Sequence, residues 1–233
     1  LAKEDIAYVG IGCPGTCNVE TGEVEYSNNL RFEHVMLGPA MKEKTGLPVY
    51  IENDANAAAL GEAVAGAARG SSDSIMVTLG TGVGGGVVID GKVYSGFNFA
   101  GAELGHIVIE KDGRQCSCGR KGCLEAYCSA TALVKLTKEK FEVSPDSLMR
   151  EMCENDINRV GGKTAFAAMK KGDKAGAEVV ETYLSYLACG VANLINIFQP
   201  EVVSIGGGVS GEGQYLLDML VPLVREQTYG GEY

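Results

Sequence analysis

The sequence has 233 residues, of which 45% are hydrophobic and 21% charged, and its formal net charge is −10. This balance allows one large buried core or two smaller ones and argues against disorder. Because Lys and Arg are scattered rather than clustered, and because no stretch approaches the roughly 18 to 20 continuous apolar residues of a membrane span, we expect neither a nucleic-acid nor a membrane partner. Because no export signal opens the sequence, we expect a cytoplasmic protein whose cysteines are reduced.

Short apolar runs that end in glycine alternate with helical segments along the chain. Residues 6–12 predict a first buried strand, and the alanine-rich residues 53–68 predict a helix after it. A second strand is predicted over residues 75–80. The pair Asp90-Gly91, which lies between two apolar runs, then predicts a hairpin and therefore antiparallel pairing.

The second half of the chain continues this alternation. Ser129 is a candidate N-cap for a helix over residues 129–141, and apolar residues at steps of three and four predict a helix over residues 174–198. Pro200 ends that helix before a third strand over residues 202–206. Strands that alternate with long helices indicate an α/β protein whose sheets are covered by helices. We place a domain boundary near Gly61, which divides the chain into α/β domains over residues 1–60 and 61–233.

The most specific local feature is the segment Cys116-Ser117-Cys118-Gly119-Arg120-Lys121-Gly122-Cys123. Three thiols within a short segment, spaced by glycines that let the backbone turn around a small ion, are typical of a tetrahedral zinc site. A fourth ligand is needed; of the two histidines in the sequence, His106 lies just upstream and His34 is far away. We therefore predict a closed, structural zinc site formed by His106, Cys116, Cys118 and Cys123. A cysteine cluster that binds no metal is the alternative.

The glycine-rich segment that follows residue 79 formally matches G-x-G-x-x-G. A dinucleotide fingerprint must open into a helix, whereas here a second strand is predicted, and no Lys followed by Ser or Thr marks a Walker loop. We interpret the segment as a glycine hairpin whose backbone amides can approach phosphate groups closely. A plain tight hairpin is the alternative.

Five motifs, in this order along the chain, resemble those of the ROK family of repressors and sugar kinases. They are Gly10-Ile11-Gly12-Cys13-Pro14-Gly15, Glu52-Asn53-Asp54-Ala55-Asn56-Ala57, Leu79-Gly80-Thr81-Gly82-Val83-Gly84-Gly85-Gly86, Gly101-Ala102-Glu103-Leu104-Gly105-His106 with the cysteine segment and Glu125, and Gly206-Gly207-Gly208-Val209-Ser210. The resemblance implies an actin-like, ribonuclease-H-like ATPase fold with two α/β domains around a cleft. The family's opening Asp-x-Gly-Gly-Thr loop and its closing helix are not found in this sequence, so we expect the small domain to be incomplete.

The resemblance also implies a function, which is the ATP-dependent phosphorylation of the 6-hydroxyl of glucose. A kinase for another aldohexose, such as N-acetylmannosamine, and a sugar-sensing repressor that uses the same pocket for its effector are the alternatives. The presence of Asp54 and of the full glycine segment favours catalysis, since a sensor needs neither. Family kinases are commonly dimers or tetramers, so a homo-oligomer is implied as well.

The site residues follow from the same resemblance. Asp54 would be the catalytic base, although from the residues alone a helix N-cap is the preferred reading. The residues implied to bind the sugar are Gly15, Asn29, Asn53, Asp54, Glu103, His106 and Glu125. Those implied to bind ATP, with its Mg²⁺, are Gly80, Thr81, Gly82 and Gly84 at the phosphates and Gly206, Gly207 and Gly208 at the adenosine.

His106 is thus implied in two roles. If one ring nitrogen binds zinc, the other can donate a hydrogen bond to a sugar hydroxyl, so the metal would fix the orientation of a sugar ligand. Glu125, close after the last cysteine, would be held by the same segment. A solvated surface acid is the alternative interpretation of Glu125. For the Gly206–Gly208 segment, the alternative is a strand-to-helix turn that binds no ligand.

Overall fold

The structure, a computed structural model, describes residues 5–27 and 29–230 of the chain. The strands are β1 (Val9–Cys13), β2 (Thr16–Asn18), β3 (Glu23–Ser27), β4 (Phe32–Val35), β5 (Val49–Asn53), β6 (Ser74–Leu79), β7 (Val83–Ile89), β8 (Lys92–Val93) and β9 (Val202–Gly206). The helices are α1 (Leu37–Thr45), α2 (Asp54–Ala65), α3 (Glu125–Cys128), α4 (Ala130–Val143), α5 (Leu148–Met152), α6 (Thr164–Lys170), α7 (Lys174–Phe198) and α8 (Gln214–Gln227). Strands and helices are mixed along the chain, which confirms the predicted α/β class, although four strands precede α1 and α3 to α7 follow one another without a strand between them. None of the helices in these described ranges has the length and apolar character needed to cross a membrane.

The strands of the described residues form three sheets. Strands β1 and β5 are parallel, β2, β3 and β4 form an antiparallel meander, and the third sheet has the strand order β8-β7-β6-β9. Asp90 and Gly91 both have positive φ between β7 and β8, as a two-residue type I′ hairpin requires, and the antiparallel pairing predicted there is confirmed.

Residue contacts divide the chain into two compact units. The first comprises the chain up to Met76 together with Gly85–Glu103 and Glu201–Ser204, and the second comprises Val77–Gly84, Leu104–Pro200 and the chain from Ile205 onward. The units are therefore interleaved in sequence. Contacts between residues do not test the predicted division into domains over residues 1–60 and 61–233, so the boundary near Gly61 stays a prediction.

In the first unit, the boundaries of two predicted elements shift by a few residues. Strand β1 begins at Val9 rather than at residue 6, because its partner strand β5 begins directly after Pro48, which has no N–H to extend the ladder. Its predicted burial is wrong: only Cys13 of this strand is buried, since among the described residues β1 pairs with β5 alone. Helix α2 ends at Ala65 rather than at residue 68, because Gly66 is a poor helix residue.

The core of the first unit includes two cysteines. Cys13 and Cys17 are buried together with Val24 and Ile51. Burial raises the pKa of Cys17 to about 12, so its thiol stays protonated and unreactive at neutral pH. This pair contributes to packing between β1, β2, β3 and β5.

The second unit is organised by α7, whose bounds agree with the prediction. One face of this helix is buried against α3, α4, α6 and α8. At Gly190, an added Cβ would overlap the Leu124 side chain, which is fully buried. The glycine therefore provides the space in which Leu124 anchors the segment that carries the cysteines.

Candidate functional site

Four side chains of the second unit converge on one point. The ligand atoms of His106, Cys116, Cys118 and Cys123 all lie within 4.8 Å of one another, and within the described part of the chain they form the one such group. The Sγ atoms of Cys118 and Cys123 are 3.7 Å apart, as are Cys116 Sγ and His106 Nδ1. Two sulfur ligands about 2.3 Å from a tetrahedral ion are separated by about 3.8 Å. The distances and the donor set therefore fit a tetrahedral zinc ion.

Local backbone contacts shape this cluster. Gln115 and Lys121 form a β-bridge, and the Cys116 N–H donates to the Arg120 carbonyl oxygen at 2.9 Å, so the segment closes as a tight loop. Gly122 lies in the left-handed region at φ +79°, and a Cβ there would overlap the Glu110 carbonyl oxygen. A glycine is required at this position for both reasons.

The thiols of the cluster differ in their tendency to ionise. A hydrogen bond from the Arg120 backbone N–H lowers the pKa of Cys118, whereas burial raises the pKa of Cys123 to about 12. Three thiolates packed this closely are stable only with a cation between them, because the cation's charge offsets burial and mutual repulsion.

His106 is held by the backbone around it. It ends a single 3-10 turn, Leu104–His106, and its carbonyl oxygen accepts a hydrogen bond from Arg120 at 3.3 Å. An added Cβ at Gly105 would overlap the Val83 carbonyl oxygen, so the turn passes directly over the first residue of β7. Since Nδ1 faces Cys116, Nε2 lies on the opposite edge of the ring.

The Glu125 carboxylate is held on both sides within the second unit. Its Oε2 accepts a hydrogen bond from the Val83 N–H at 3.1 Å, and its Oε1 accepts one from the Ser117 hydroxyl at 2.5 Å. Oε1 also lies 3.7 Å from Cys116 Sγ. Sequence reasoning placed Glu125 beside the cysteine segment but missed Ser117 and Val83 as its partners, because neither residue type marks such a contact.

The glycine loop between β6 and β7 is fixed through its carbonyl groups. The Gly80 carbonyl oxygen accepts from the Ala130 N–H, and the Thr81 carbonyl oxygen accepts from the Thr131 hydroxyl, both at 2.8 Å. Among the described residues, no group accepts a hydrogen bond from the N–H of Thr81 or Gly82. Strand β7 follows at Val83, which confirms that this loop is no dinucleotide fingerprint.

A strand-to-helix turn carries the last three glycines of the predicted nucleotide site. Gly206 ends β9, and Gly207 has φ +85° with an added Cβ only 2.5 Å from the Leu79 carbonyl oxygen. The Ser210 hydroxyl donates to the Gly207 carbonyl oxygen at 2.7 Å. Gly208 begins the 3-10 helix Gly208–Glu212, which leads into α8.

The first unit holds the remaining predicted residues, three of which the structure brings together. The Asn53 side chain caps α2, because its Oδ1 accepts from the N–H groups of Ala55 at 2.9 Å and Asn56 at 3.1 Å. Its Nδ2 donates to the Gly15 carbonyl oxygen at 3.0 Å. Asp54 is the first helical residue and its side chain is exposed. The N-cap is therefore Asn53, and Asp54 is not required for that task.

The other two predicted sugar ligands of this unit are themselves exposed. Asn29 lies in the turn between β3 and β4, and Glu103 directly precedes the turn that carries His106. The structure places neither in a hydrogen bond with another predicted site residue among the described ranges.

The chain is similar to known proteins along almost its whole length. The sequence profile described as the ROK family matches residues 2–232. A curated glucokinase of Thermotoga maritima is 42% identical over 218 residues, which are 93% of this chain and 68% of that protein. A xylose repressor of Caldicellulosiruptor bescii is 33% identical over 97% of this chain and 56% of its own length.

Among solved structures, the chain is similar to a ROK family glucokinase from Streptomyces griseus in complex with glucose and AMPPNP. The two share 36% sequence identity with a TM-score of 0.87, over 98% of this chain and 74% of that one. The chain thus spans about two thirds to three quarters of the glucokinases it matches. The predicted actin-like ATPase fold is confirmed by these likenesses.

Proposed function

Because this chain belongs to the ROK family, we propose that it acts as an ATP-dependent kinase on the 6-hydroxyl of glucose. The observation that carries the proposal is the structural likeness to the Streptomyces griseus glucokinase, which was solved with glucose and AMPPNP. We further propose that the protein forms dimers or tetramers, the states that the family resemblance implies.

We propose Asp54 as the base that accepts the proton of the attacking hydroxyl. Phosphoryl transfer depends mainly on positioning and charge neutralisation, with a base to orient and deprotonate the nucleophile. Asp54 is exposed at the N-terminus of α2, where the helix dipole favours an ionised carboxylate. Asn53 performs the capping, and although Asp54 Oδ1 also accepts from the Ala55 N–H at 2.9 Å, its Oδ2 is available for this role.

We propose that His106, Cys116, Cys118 and Cys123 hold a structural zinc ion. The four donors and the 3.7 Å separations support this assignment, and four protein ligands complete a tetrahedron with no position for a reactive water. A bound zinc ion would supply no chemistry to the transfer; it would fix the positions of its ligands. With Nδ1 directed to the metal, the His106 ring presents Nε2–H as a donor of fixed direction.

We propose that this donor and the Glu125 carboxylate bind hydroxyl groups of the sugar. An ionised carboxylate has about four lone-pair sites, and Val83 and Ser117 occupy two of them. The remaining sites can accept hydrogen bonds from sugar hydroxyls. Gly15, Asn29, Asn53, Asp54 and Glu103 are proposed as further sugar contacts, on the family resemblance.

We propose that the glycine loop binds the phosphates of ATP and that Gly206, Gly207 and Gly208 face its adenosine. The N–H groups of Thr81 and Gly82, which donate to no group of the described chain, are suited to phosphate oxygens. Mg²⁺ bound with ATP would neutralise the charge that develops during transfer.

The test is calorimetric titration of the zinc-loaded chain with glucose, N-acetylmannosamine, fructose and allose, followed by an assay of sugar phosphate formation by the full-length protein with Mg·ATP. Saturable binding of glucose in preference to the other sugars supports the proposal. Preference for another sugar replaces glucose but keeps the sugar site. No binding by a folded, zinc-replete chain contradicts the proposed sugar contacts.

A sugar-sensing repressor is the second proposal, since a xylose repressor is 33% identical over nearly the whole chain. It shares the sugar site but requires no phosphate transfer. Sugar binding by the full-length protein without formation of any sugar phosphate would favour this alternative.

A further inference from the structure

Val83, the first residue of β7, lies where three features of the second unit meet. Its N–H donates to Glu125 Oε2 at 3.1 Å. Its carbonyl oxygen lies under Gly105, the residue before His106, where a side chain would not fit. It also directly follows the glycine loop of residues 80–82. Both proposed sugar ligands of this unit therefore adjoin the backbone of one residue, which ends the proposed phosphate loop.

The Glu125 carboxylate is positioned from three directions. The Val83 N–H donates to Oε2. The hydroxyl of Ser117, which lies in the cysteine segment, donates to Oε1 at 2.5 Å. Behind it, the preceding residue Leu124 is fully buried and occupies the space left by Gly190. A carboxylate held in this way has little rotational freedom left, so its contact with Val83 transmits any displacement of the cysteine segment to the loop.

The loop in turn leaves no free space beside Glu125. An added Cβ at Gly82 would overlap Glu125 Oε2, whereas one at Gly80 would meet nothing within 4 Å. The carbonyl oxygens of the loop are tied to the start of α4 through Ala130 and Thr131. Val83 is thus the point at which the loop can respond to Glu125.

From these contacts we propose that Ser117 is a positioning residue. Its hydroxyl holds Glu125 against Val83, so that the metal-binding segment and a bound sugar order the glycine loop before the nucleotide binds. The part concerning sugar and nucleotide rests on the proposed function, whereas the link from Ser117 through Glu125 to Val83 does not.

The link is tested by amide hydrogen exchange at Val83, measured by NMR on the zinc-loaded chain without sugar or nucleotide. In Ser117→Ala we expect the Val83 N–H to exchange about tenfold faster, because its charged acceptor is no longer fixed. Ser117→Thr, which keeps the hydroxyl, should restore the exchange rate. Ser185→Ala, an exposed serine of α7, is the matched control and should leave it unchanged.

A second variant pair tests the link without touching the cysteine segment. Gly82→Ala should displace Glu125 and accelerate exchange at Val83 by about tenfold or more, with zinc content unchanged by atomic absorption. Gly80→Ala is its control for exchange at Val83, since its methyl group meets no neighbour. Unchanged exchange at Val83 in zinc-replete Ser117→Ala would overturn the proposal, whatever the result in Gly82→Ala. If Ser117→Ala loses zinc, Gly82→Ala decides only the contact of Glu125 with Val83, and zinc-replete Ser117→Thr decides the role of the hydroxyl: slow exchange at Val83 supports it, and fast exchange overturns it.

Exchange at Val83 measured after addition of a chelator or of glucose distinguishes this proposal from the proposed function. Removal of zinc by a chelator should accelerate exchange at Val83, and saturating glucose should slow it. Acceleration in the variants together with no effect of any sugar would leave the link standing and contradict the sugar site. Protection by glucose that persists undiminished in Ser117→Ala would contradict the positioning role and leave the sugar site standing.

Discussion

The side-chain amide of Asn53 donates to the Gly15 carbonyl oxygen at 3.0 Å while its oxygen caps α2. One side chain thus joins the start of a helix to a glycine whose φ of +114° and contact with the Tyr26 carbonyl oxygen exclude any other residue.

The two functions of Asn53 can be separated by substitution. Asn53→Ser keeps a capping oxygen but loses the donor to Gly15, and it should reduce the free energy of unfolding by about 1 kcal/mol. Asn53→Ala loses both and should cost about 2 kcal/mol. Urea unfolding of both variants measures the difference. Equal losses would mean that the bond to Gly15 contributes nothing.

Asp54→Asn should leave the fold intact, because Asn53 rather than Asp54 caps α2. If Asp54 is the base, turnover should fall by about 10²- to 10⁴-fold while the glucose affinity stays nearly unchanged. Steady-state kinetics and calorimetry measure the two quantities separately. Near-normal turnover would remove Asp54 from the proposed role, and a large loss of affinity would assign it to binding instead.

Cys118→Ser should release the metal and weaken sugar binding together. Its sulfur is one of the four converging donors, and its loss would free the His106 ring and the segment that holds Glu125. Zinc content by atomic absorption and glucose titration report the two losses. Cys189→Ser, on α7 and outside the cluster, is the matched control. Full sugar affinity after loss of zinc would contradict the coupling.

Asp173 caps the start of α7 and also holds the start of α5. Its nearly buried carboxylate accepts from the N–H groups of Gly176 at 2.6 Å and Leu148 at 2.8 Å, and from the Ser147 hydroxyl at 2.9 Å. Asp173→Ala should therefore lower the free energy of unfolding by about 2–4 kcal/mol.

The matched control for Asp173 is Asp156→Ala, which removes the exposed cap of a short 3-10 turn and should cost about 0.5–1 kcal/mol. Chemical denaturation of both variants makes the comparison. Similar losses at the two positions would show that the double contact of Asp173 adds no stability.

Ionisation of Glu201 makes the free energy of unfolding depend on pH in the acid range. Hydrogen bonds, first from the Ser72 N–H and then from the Asp73 N–H, hold the pKa of the Glu201 carboxyl below its ordinary value of 4.5. Because the pKa is lower in the folded chain, this contribution is present above pH 4.5 and is lost as the pH falls through the folded value.

Glu201→Gln should accordingly lower Tm at pH 7, and the gap to the unsubstituted protein should close in the acid range below pH 4.5. Scanning calorimetry between neutral and acid pH measures the gap. Glu226→Gln, an exposed position of α8, serves as control. A gap that stays constant with pH would show that the ionised carboxylate is not the source of the stabilisation.

Sequence reasoning succeeded where the local signal matches the tertiary environment. The helix over residues 174–198 was predicted with its observed ends, since most of its apolar stripe lies within the core and Asp173 and Pro200 bound it. The hairpin at Asp90-Gly91 could also be predicted, because both turn residues need a positive φ, which Asp and Gly tolerate. The convergence of His106 with the three cysteines could be predicted because cysteines at this spacing have few other uses, whereas the metal itself stays a proposal.

It failed where pairing depends on distant residues. Strands β2, β3 and β4 were not predicted, since they are short. In addition, His34 in β4 has a positive φ, which cannot be predicted from a pattern of hydrophobicity. The N-cap of α2 is Asn53, one residue before Asp54, which was the N-cap candidate from the residues alone. The contacts of Ser117 and Val83 with Glu125 join parts of the chain distant in sequence, and the roles of the predicted sugar and nucleotide ligands stay predictions.

Three consecutive residues, beginning with the last residue of the cysteine segment, serve three different purposes. Cys123 belongs to the cluster of four donor side chains, Leu124 fills the space at Gly190, and Glu125 holds Val83. A change in core packing at α7 therefore reaches the carboxylate through a single peptide unit. If Glu125 binds sugar as proposed, substitutions in the interior of α7 should change ligand recognition as well as melting temperature, so both should be measured when this helix is engineered.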